Sequence, residues 1–194
     1  MHNVKRPRGA RGREGILSSA RSLVIESGYE ALTVEGIAAA AGVGKQTLYR
    51  WWPSKGALVA DAFLDDPAIP PSFASTAPTG DGVAWVRAQA DYFSSAVGTS
   101  VTRALTSATA EDESVAIRVH ERFTAPILAG IIDWLAITVP DAAAGATERQ
   151  RAAADMLLGA LVFRMLTRSE PLSGDGAEEV LHLVLAGLRT AAAR

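Results

Sequence analysis

Residues 33–55 read TVEGIAAAAGVGKQTLYRWWPSK, and this stretch decides the fold. Thr33 can cap a helix, because its hydroxyl can accept a backbone N–H left free in the first helical turn. The apolar residues that follow recur at the spacing of one helix face: Val34, Ile37, Ala38 and Ala41. Gly42 can take the left-handed conformation that a sharp turn between two helices requires. The stretch therefore predicts a short helix and a tight turn.

A second short helix is predicted directly after this turn, over residues 44–52. Pro53 ends it, since the residue before a proline is pushed out of helical geometry. On a helical wheel, Leu48 and Trp52 share the side that anchors the helix to a core. The opposite side carries the polar residues Lys45, Gln46, Tyr49 and Arg50. Two short helices joined in this way form the pattern of a helix-turn-helix.

The polar face of the second helix mixes an ammonium, an amide and a phenol, which are groups that base edges and phosphates require. Gln46 can pair with an adenine edge and Lys45 with guanine. Tyr49 and Thr47 can donate hydrogen bonds to phosphate oxygens. The alternative interpretation is a solvated helix face that happens to include Lys and Gln. The turn glycine and the charge distribution described below favour DNA binding.

Three further residues around this helix are candidates for DNA contacts. Thr33 and Lys55 each stand where a helix begins, so free N–H groups and the helix dipole favour a phosphate beside them. Trp51 has two interpretations: it packs in the core, or it lies along the sugar-phosphate backbone with its indole N–H on a phosphate.

The chain has 194 residues and a net charge of −2, but the charge is unevenly distributed. Residues 1–60 carry nine basic and four acidic side chains, whereas the remainder carries ten basic and 17 acidic ones. A basic head on an acidic body indicates a polyanionic partner for the head. The 48% of apolar residues suffice for a hydrophobic core.

Composition argues against several classes of protein. The chain has no cysteine, which excludes disulfides and thiolate chemistry and fits a cytoplasmic location. No apolar run approaches the roughly 18 residues that span a bilayer, and the basic N-terminus has no apolar segment of a secretory signal behind it. The isolated His2, His120 and His182 predict no metal site, and without a phosphate loop or nucleophile elbow we expect no catalytic residues and no cofactor.

The rest of the sequence predicts an all-α fold of about nine helices, because no stretch shows strand alternation. Gly28 and Gly98 are expected to end the first and fifth helices, and Pro126 to kink the seventh. The Pro-rich residues 65–81 predict a linker or an irregular loop. The expected helices cover residues 12–27, 33–41, 44–52, 55–64, 82–97, 100–110, 113–138, 147–167 and 176–193.

Three segments carry a resemblance to a known family: TVxxIA at residues 33–38, AGVGKxTLY at 41–49 and WPSKxAL at 52–58. They are similar to the DNA-binding domain of the TetR family of bacterial transcriptional regulators. The resemblance implies an N-terminal DNA-binding domain over residues 1–53 and a C-terminal effector-binding and dimerisation domain over 54–194. It also implies a homodimer, usually a repressor, whose recognition helices enter the major groove at a palindromic operator. The contacts it implies are Thr33, Lys45, Gln46, Thr47, Tyr49, Trp51 and Lys55.

The last two predicted helices carry wide apolar stripes, which are expected to form a four-helix interface with a second subunit. Two recognition helices about 34 Å apart need a two-fold partner to hold them. The other interpretation of the stripes is an ordinary core within one subunit. The expected interface residues are Leu158, Leu161, Val162, Met165, Leu181, Val184 and Leu188.

A pocket for a small-molecule effector is expected between the fifth, seventh and eighth helices. Its aromatic candidates can equally fill the core, as aromatic side chains at helical spacing usually do. They are Trp85, Tyr92, Phe93, Phe123, Trp134 and Phe163.

The sequence therefore predicts a regulator that an effector releases from DNA. The alternative is a helical small-molecule-binding or enzymatic domain whose basic head only tethers it to nucleic acid.

Overall fold

The chain folds into α-helices, and the computed structural model describes residues 8–64, 78–140 and 146–193. Within these ranges there is no β-strand, so the predicted all-α class is confirmed. No helix in the same ranges has the length and apolarity that crossing a membrane requires. The α-helices of the described ranges are α1 (Arg8–Ala31), α2 (Val34–Ala40), α3 (Lys45–Trp51), α4 (Lys55–Leu64), α5 (Val83–Ser94), α6 (Ala96–Glu111), α7 (Glu113–Val119), α8 (Ala125–Thr138), α9 (Ala146–Leu166) and α10 (Gly174–Ala192).

The predicted seventh helix is divided in the structure. A π-helical turn, His120–Thr124, separates α7 from α8. Pro126 lies in the first turn of α8, where it has no N–H to donate and its ring crowds the carbonyl four residues earlier. The wider π-helical turn accommodates this missing bond. The disruption expected at Pro126 therefore takes the form of a local change in helix type. Of the Pro-rich segment predicted at 65–81, residues 65–77 lie outside the described residues.

The first helix begins earlier than the sequence predicts, at Arg8, and it is broken at Gly28, where the sequence predicts its end. Gly28, expected to end it, has φ 80° and ψ 168° and breaks the regular helical geometry. A final turn to Ala31 follows the break.

The boundary between α5 and α6 corrects the sequence prediction. The break lies at Ser95, which is extended with ψ 151°, and Gly98 is a buried residue inside α6. The Ser95 hydroxyl accepts a hydrogen bond from the Gly98 N–H at 3.0 Å and so caps α6. A Cβ at position 98 would collide with the carbonyl oxygen of Tyr92. The glycine is therefore required for close approach and does not end a helix.

Two compact units can be distinguished, each with its own hydrophobic core. The first contains the described residues of 1–69 and 100–119, and the second those of 70–99 and 120–194. Side chains such as Leu17, Ile37, Leu48, Leu58 and Val115 form the first core. Side chains such as Phe93, Ile131, Trp134, Leu157 and Leu181 form the second core. By packing, α4 and α7 belong with the N-terminal helices, while the functional boundary expected at residue 53 stays a prediction.

Candidate nucleic-acid interface

The helix-turn-helix is built from local contacts that its own sequence provides. Thr33 Oγ1 accepts a hydrogen bond from the Gly36 N–H at 3.0 Å and caps α2. Gly42 has φ 67° in the turn, a conformation that favours glycine. Gly44 precedes α3 and, lacking a side chain, gives it no capping hydroxyl. Trp52 is extended, with φ −132° and ψ 122°, as expected for a residue before proline.

The α3 helix presents one face to the core and the other to solvent. Leu48 is 1% exposed and Trp52 3% exposed, so both anchor the helix in the first core. Thr47 is half-buried beside them. The predicted reading residues Lys45, Gln46 and Tyr49, with Arg50, are all exposed. The division of the two faces expected from helical spacing is therefore present.

Trp51 lies at the end of α3 and is 45% exposed. The guanidinium carbon of Arg50 lies 5.9 Å from the centroid of its ring, a cation–π arrangement. Trp51 does not pack into the first core, in contrast to its neighbour Trp52. Its exposure excludes the first interpretation, packing in the core, and the contact along the sugar-phosphate backbone stays a prediction.

Lys45 is engaged with a residue that the sequence did not single out. Its Nζ donates to Glu35 Oε1 at 2.5 Å, joining the start of α3 to α2. This hydrogen bond and the Lys45 charge lower the pKa of the Glu35 carboxyl from its ordinary value. Thr33, the cap of α2, is exposed two residues before Glu35. The structure thus brings Thr33, Glu35 and Lys45 to one edge of the helix-turn-helix.

Lys55 is half-buried and its ammonium group is held inside the first unit. It lies 3.9 Å from the centroid of the Tyr29 ring and donates to the Tyr29 carbonyl at 3.2 Å. The Tyr29 hydroxyl in turn donates to Glu111 at 2.6 Å. Burial, followed by the hydrogen bond to Glu111, raises the pKa of Tyr29 above its ordinary value. The ammonium of Lys55 therefore contacts Tyr29 and is not one of the groups on the exposed face of α3.

Asp61 joins four helices of the first unit and was not predicted from the sequence. Its carboxylate accepts from Arg13 on α1 at 2.6 Å and from the Trp52 indole N–H at 2.7 Å. Arg118 on α7 also donates to it. The side chain of Asp61 is only 15% exposed. This cluster fixes the Trp52 ring and with it the end of α3.

A signal for the Asp61 cluster does exist in the sequence. The α4 segment KGALVADAFL has Asp61 as its sole acidic residue among apolar ones. A buried carboxylate must be paired and hydrogen-bonded, so basic partners are implied. Helical spacing cannot identify Arg13 or Arg118, because they lie 48 and 57 residues away in the chain.

The aromatic residues proposed for an effector pocket divide into two groups. Phe93 and Trp134 are buried in the second core, and Trp85, Tyr92 and Phe123 pack against it. The Trp134 indole N–H donates to the Gly80 carbonyl at 3.1 Å. Phe163 is separate from these five, because it is 66% exposed on α9. The structure therefore brings five of the six candidates to one core.

The residues expected at a dimer interface lie mainly inside their own subunit. Leu158 and Val162 are half-buried against the second core. The other five are buried: Leu161, Met165, Leu181, Val184 and Leu188. The large apolar side chains that α9 and α10 expose to solvent are Met156, Phe163, Leu166 and Leu183.

An apolar groove runs between α9 and α10 on this exposed side. It has a volume of about 410 Å³. Met156 and Leu183 line it with the small residues Ala152 and Gly187. A Cβ built at Gly159 or Gly187 would meet nothing within 4 Å, so another helix can approach closely there. We call the exposed side of α9 and α10, with Met156, Gly159, Phe163, Leu166, Leu183 and Gly187, the apolar face.

The N-terminal geometry agrees with comparisons to known proteins. Residues 16–62 match the family model for bacterial regulatory proteins of the tetR family. Over 59 residues the chain is 46% identical to a Bacillus subtilis (strain 168) protein, the uncharacterised HTH-type transcriptional regulator YdeS. That match covers 30% of this chain and 30% of the relative.

Solved structures extend the similarity over nearly the whole chain. The TetR family transcription regulator SCO0332 superposes with a TM-score of 0.64 at 26% identity, covering 91% of this chain and 98% of that one. A TetR-family regulator from Mesorhizobium loti MAFF303099 also gives a TM-score of 0.64, at 19% identity. It covers 96% of this chain and 98% of its own. This second likeness shows the shared fold.

Proposed function

Because the chain belongs to the TetR family of bacterial regulatory proteins, we propose that it is a transcriptional regulator that acts as a repressor in the cytoplasm. In this proposal it binds a palindromic operator as a homodimer and leaves the operator when a small-molecule effector binds. The exposed face of α3 is the observation that carries the proposal. Lys45, Gln46 and Tyr49 are exposed there, while Leu48 and Trp52 hold the helix in the core.

The chemistry of this face supports sequence reading with additional phosphate contacts. Gln46 offers the amide pair that matches an adenine edge, and Lys45 an ammonium for guanine. Tyr49, Thr33 and Thr47 supply hydroxyl groups for phosphates, and Trp51 an exposed ring beside the backbone. Lys55 remains in the proposed set of contacts only if DNA draws its ammonium away from Tyr29.

The apolar face of α9 and α10 supports the proposed homodimer. Phe163 is 66% exposed and Leu183 64% exposed in the isolated subunit, and large exposed apolar patches mark interaction sites. A two-fold axis through this face would place the same patch on both subunits. We assign the contact to Met156, Phe163, Leu166 and Leu183, with the predicted Leu158 and Val162 at its margin.

The aromatic part of the second core supports an apolar or amphipathic effector. Trp85, Tyr92 and Phe123 are only partly buried around Phe93 and Trp134, so a ligand can enter by displacing them. We propose that the bound effector displaces the helices around this core. The movement then passes to α7 through the π-helical turn His120–Thr124, next to Pro126. The Arg118 bond to Asp61 ties α7 to α4, and Asp61 holds Trp52 at the end of α3. Effector binding then shifts the population of dimers away from the operator spacing.

The experiment that tests the proposal is selection of bound duplexes from a randomised DNA pool by the purified full chain. An enriched inverted repeat is expected, with binding that weakens steeply as salt rises. On that duplex Gln46→Ala should cost about 1–3 kcal/mol and relax one base preference. Asp91→Asn, on an exposed site of α5, serves as the control. If no inverted repeat is enriched, or if Gln46→Ala weakens operator and random DNA equally, the proposal is wrong.

A further inference from the structure

Arg50 is a basic side chain of α3 that donates to no acceptor within the part of the chain that the structure describes. It is exposed in the last turn of the helix, and its guanidinium carbon lies 5.9 Å from the centroid of the Trp51 ring. The other basic side chains described between residues 12 and 64 each donate to a carboxylate or a carbonyl oxygen: Arg13 to Asp61, Arg21 to Glu14, Lys45 to Glu35 and Lys55 to Tyr29.

This difference determines what each cation gains from a phosphate. A paired cation must give up its acceptor before it binds DNA, and a carboxylate left behind then repels the phosphates. Arg50 gives up no such acceptor, so its attraction to a phosphate is not offset by a broken ion pair. The cation–π contact supplies no acceptor atom, so the N–H donors of the guanidinium stay available for bidentate phosphate binding.

The position of Arg50 on α3 favours a phosphate over a base edge. In a helix-turn-helix, the N-terminal residues of the recognition helix contact base edges, and Lys45 and Gln46 occupy that end of α3. Arg50 lies at the opposite end, beside the exposed ring of Trp51. A guanidinium held over an aromatic ring is already ordered, so it loses less side-chain entropy when it binds.

We infer that Arg50 is a further DNA-contacting residue, which binds a backbone phosphate with its guanidinium positioned by the Trp51 ring. This inference rests on the proposed function and adds to it a residue outside the contacts expected from the sequence. A phosphate contact carries no sequence information. Arg50 therefore contributes to the affinity for every duplex and to its salt dependence.

The test compares wild type with Arg50→Met on two probes. One is the duplex most enriched by the wild type from a randomised pool, and the other is a scrambled duplex of the same base composition. At about 0.15 M salt, Arg50→Met should weaken binding to both about fivefold per subunit. The slope of log K against log salt should become shallower by about 0.9 per subunit. Arg50→Lys keeps the charge and loses the bidentate fork, so it should retain the slope while binding more weakly than wild type.

Two controls isolate the guanidinium and the ring. Arg151→Met removes the same charge from an exposed position on α9 and should leave the slope unchanged. A double-mutant cycle measures the role of the ring: Trp51→Leu should cost less affinity in the Arg50→Met background than in the wild type, because no guanidinium remains to be positioned. All variants should keep the helical circular dichroism signal of the wild type, since Arg50, Trp51 and Arg151 are exposed.

Four results would overturn the phosphate contact: an unchanged slope in Arg50→Met, a slope that Arg50→Lys does not retain, a loss confined to the enriched duplex, or an equal change in Arg151→Met. Additive losses in the cycle would overturn positioning by Trp51. Failure of the proposed function is a separate result, recognised when the wild type itself enriches no sequence. A wild type that selects a duplex while Arg50→Met keeps full affinity rejects only the role of Arg50.

Discussion

Tyr29 lies where α1 ends, and its phenol connects that end to α6. The ring is 3% exposed, its hydroxyl donates to Glu111 at 2.6 Å, and the ammonium of Lys55 lies above its face. A cation over an aromatic face contributes about 0.5–1 kcal/mol at partly exposed sites. A residue without any proposed DNA contact therefore determines how Lys55 is held.

The raised pKa of Tyr29 predicts a pH dependence of stability. Burial and the bond to Glu111 favour the neutral phenol in the folded state. The stabilisation is therefore complete below the unfolded pKa of about 10 and is lost as pH rises above that value. Tyr29→Phe should reduce the free energy of unfolding by about 1 kcal/mol at pH 7.

Urea unfolding of wild type and Tyr29→Phe between pH 7 and pH 11 checks this expectation, because other titrating groups cancel in the difference. The difference should be constant to about pH 10 and then decrease. A difference that grows above pH 10 would contradict the assignment of the raised pKa to Tyr29.

The α4 helix owes its position in the first unit to one polar residue as well as to apolar packing. Asp61 accepts hydrogen bonds from Arg13, Trp52 and Arg118. Asp61→Asn removes the charge from a site where two guanidinium groups converge. Hydrogen bonds to charged groups contribute about 1.5–3 kcal/mol each, so we expect the free energy of unfolding to fall by about 2–3 kcal/mol. Urea denaturation measures it, and Asp91→Asn on the exposed side of α5 should change it by less than about 0.5 kcal/mol.

Two helical glycines should respond to alanine in opposite directions. Helix propensity alone favours alanine by about 0.5–1 kcal/mol at both positions. Gly15→Ala in α1 should be stabilising, because a Cβ there meets nothing within 4 Å. Gly98→Ala in α6 should destabilise by roughly 1 kcal/mol or more, since its Cβ collides with the Tyr92 carbonyl. Thermal melting of the two variants measures both changes in stability. Stabilisation by both substitutions would contradict the close approach of Gly98 to the Tyr92 carbonyl.

Local signals explain why the helix-turn-helix could be predicted from sequence. The Thr33 cap, the Gly42 turn and the Trp52–Pro53 stop each involve residues a few positions apart, so sequence alone contains them. Ser95 shows the limit of such signals, because a serine cap and a glycine compete and only packing against Tyr92 decides between them. The partners of Asp61 could not be predicted from local signals at all, because Arg13 and Arg118 are distant from it in the chain.

The apolar stripes of α9 and α10 show a different limit. Helical spacing identified both helices as apolar on wide faces, and Leu161, Leu181 and Val184 do lie on such a face. Spacing does not distinguish the side that packs in the core from the side that stays exposed, because both are apolar. The burial of those residues and the exposure of Phe163 and Leu183 separate the two sides.

A carboxylate on the apolar face should dissociate the proposed dimer without unfolding the subunit. In a two-fold contact each substitution appears twice, and burying an unpaired charge costs several kcal/mol. Phe163→Glu and Leu183→Glu should therefore sediment as monomers and lose operator affinity, while their circular dichroism spectra at 25 °C keep the helical signal of the wild type, since both positions are exposed in the isolated subunit. Ile137→Glu is the matched control, because Ile137 is 78% exposed and stands on α8, a helix that is not part of the apolar face. Dimers that persist in the first two variants, or dissociation caused equally by Ile137→Glu, would place the interface elsewhere.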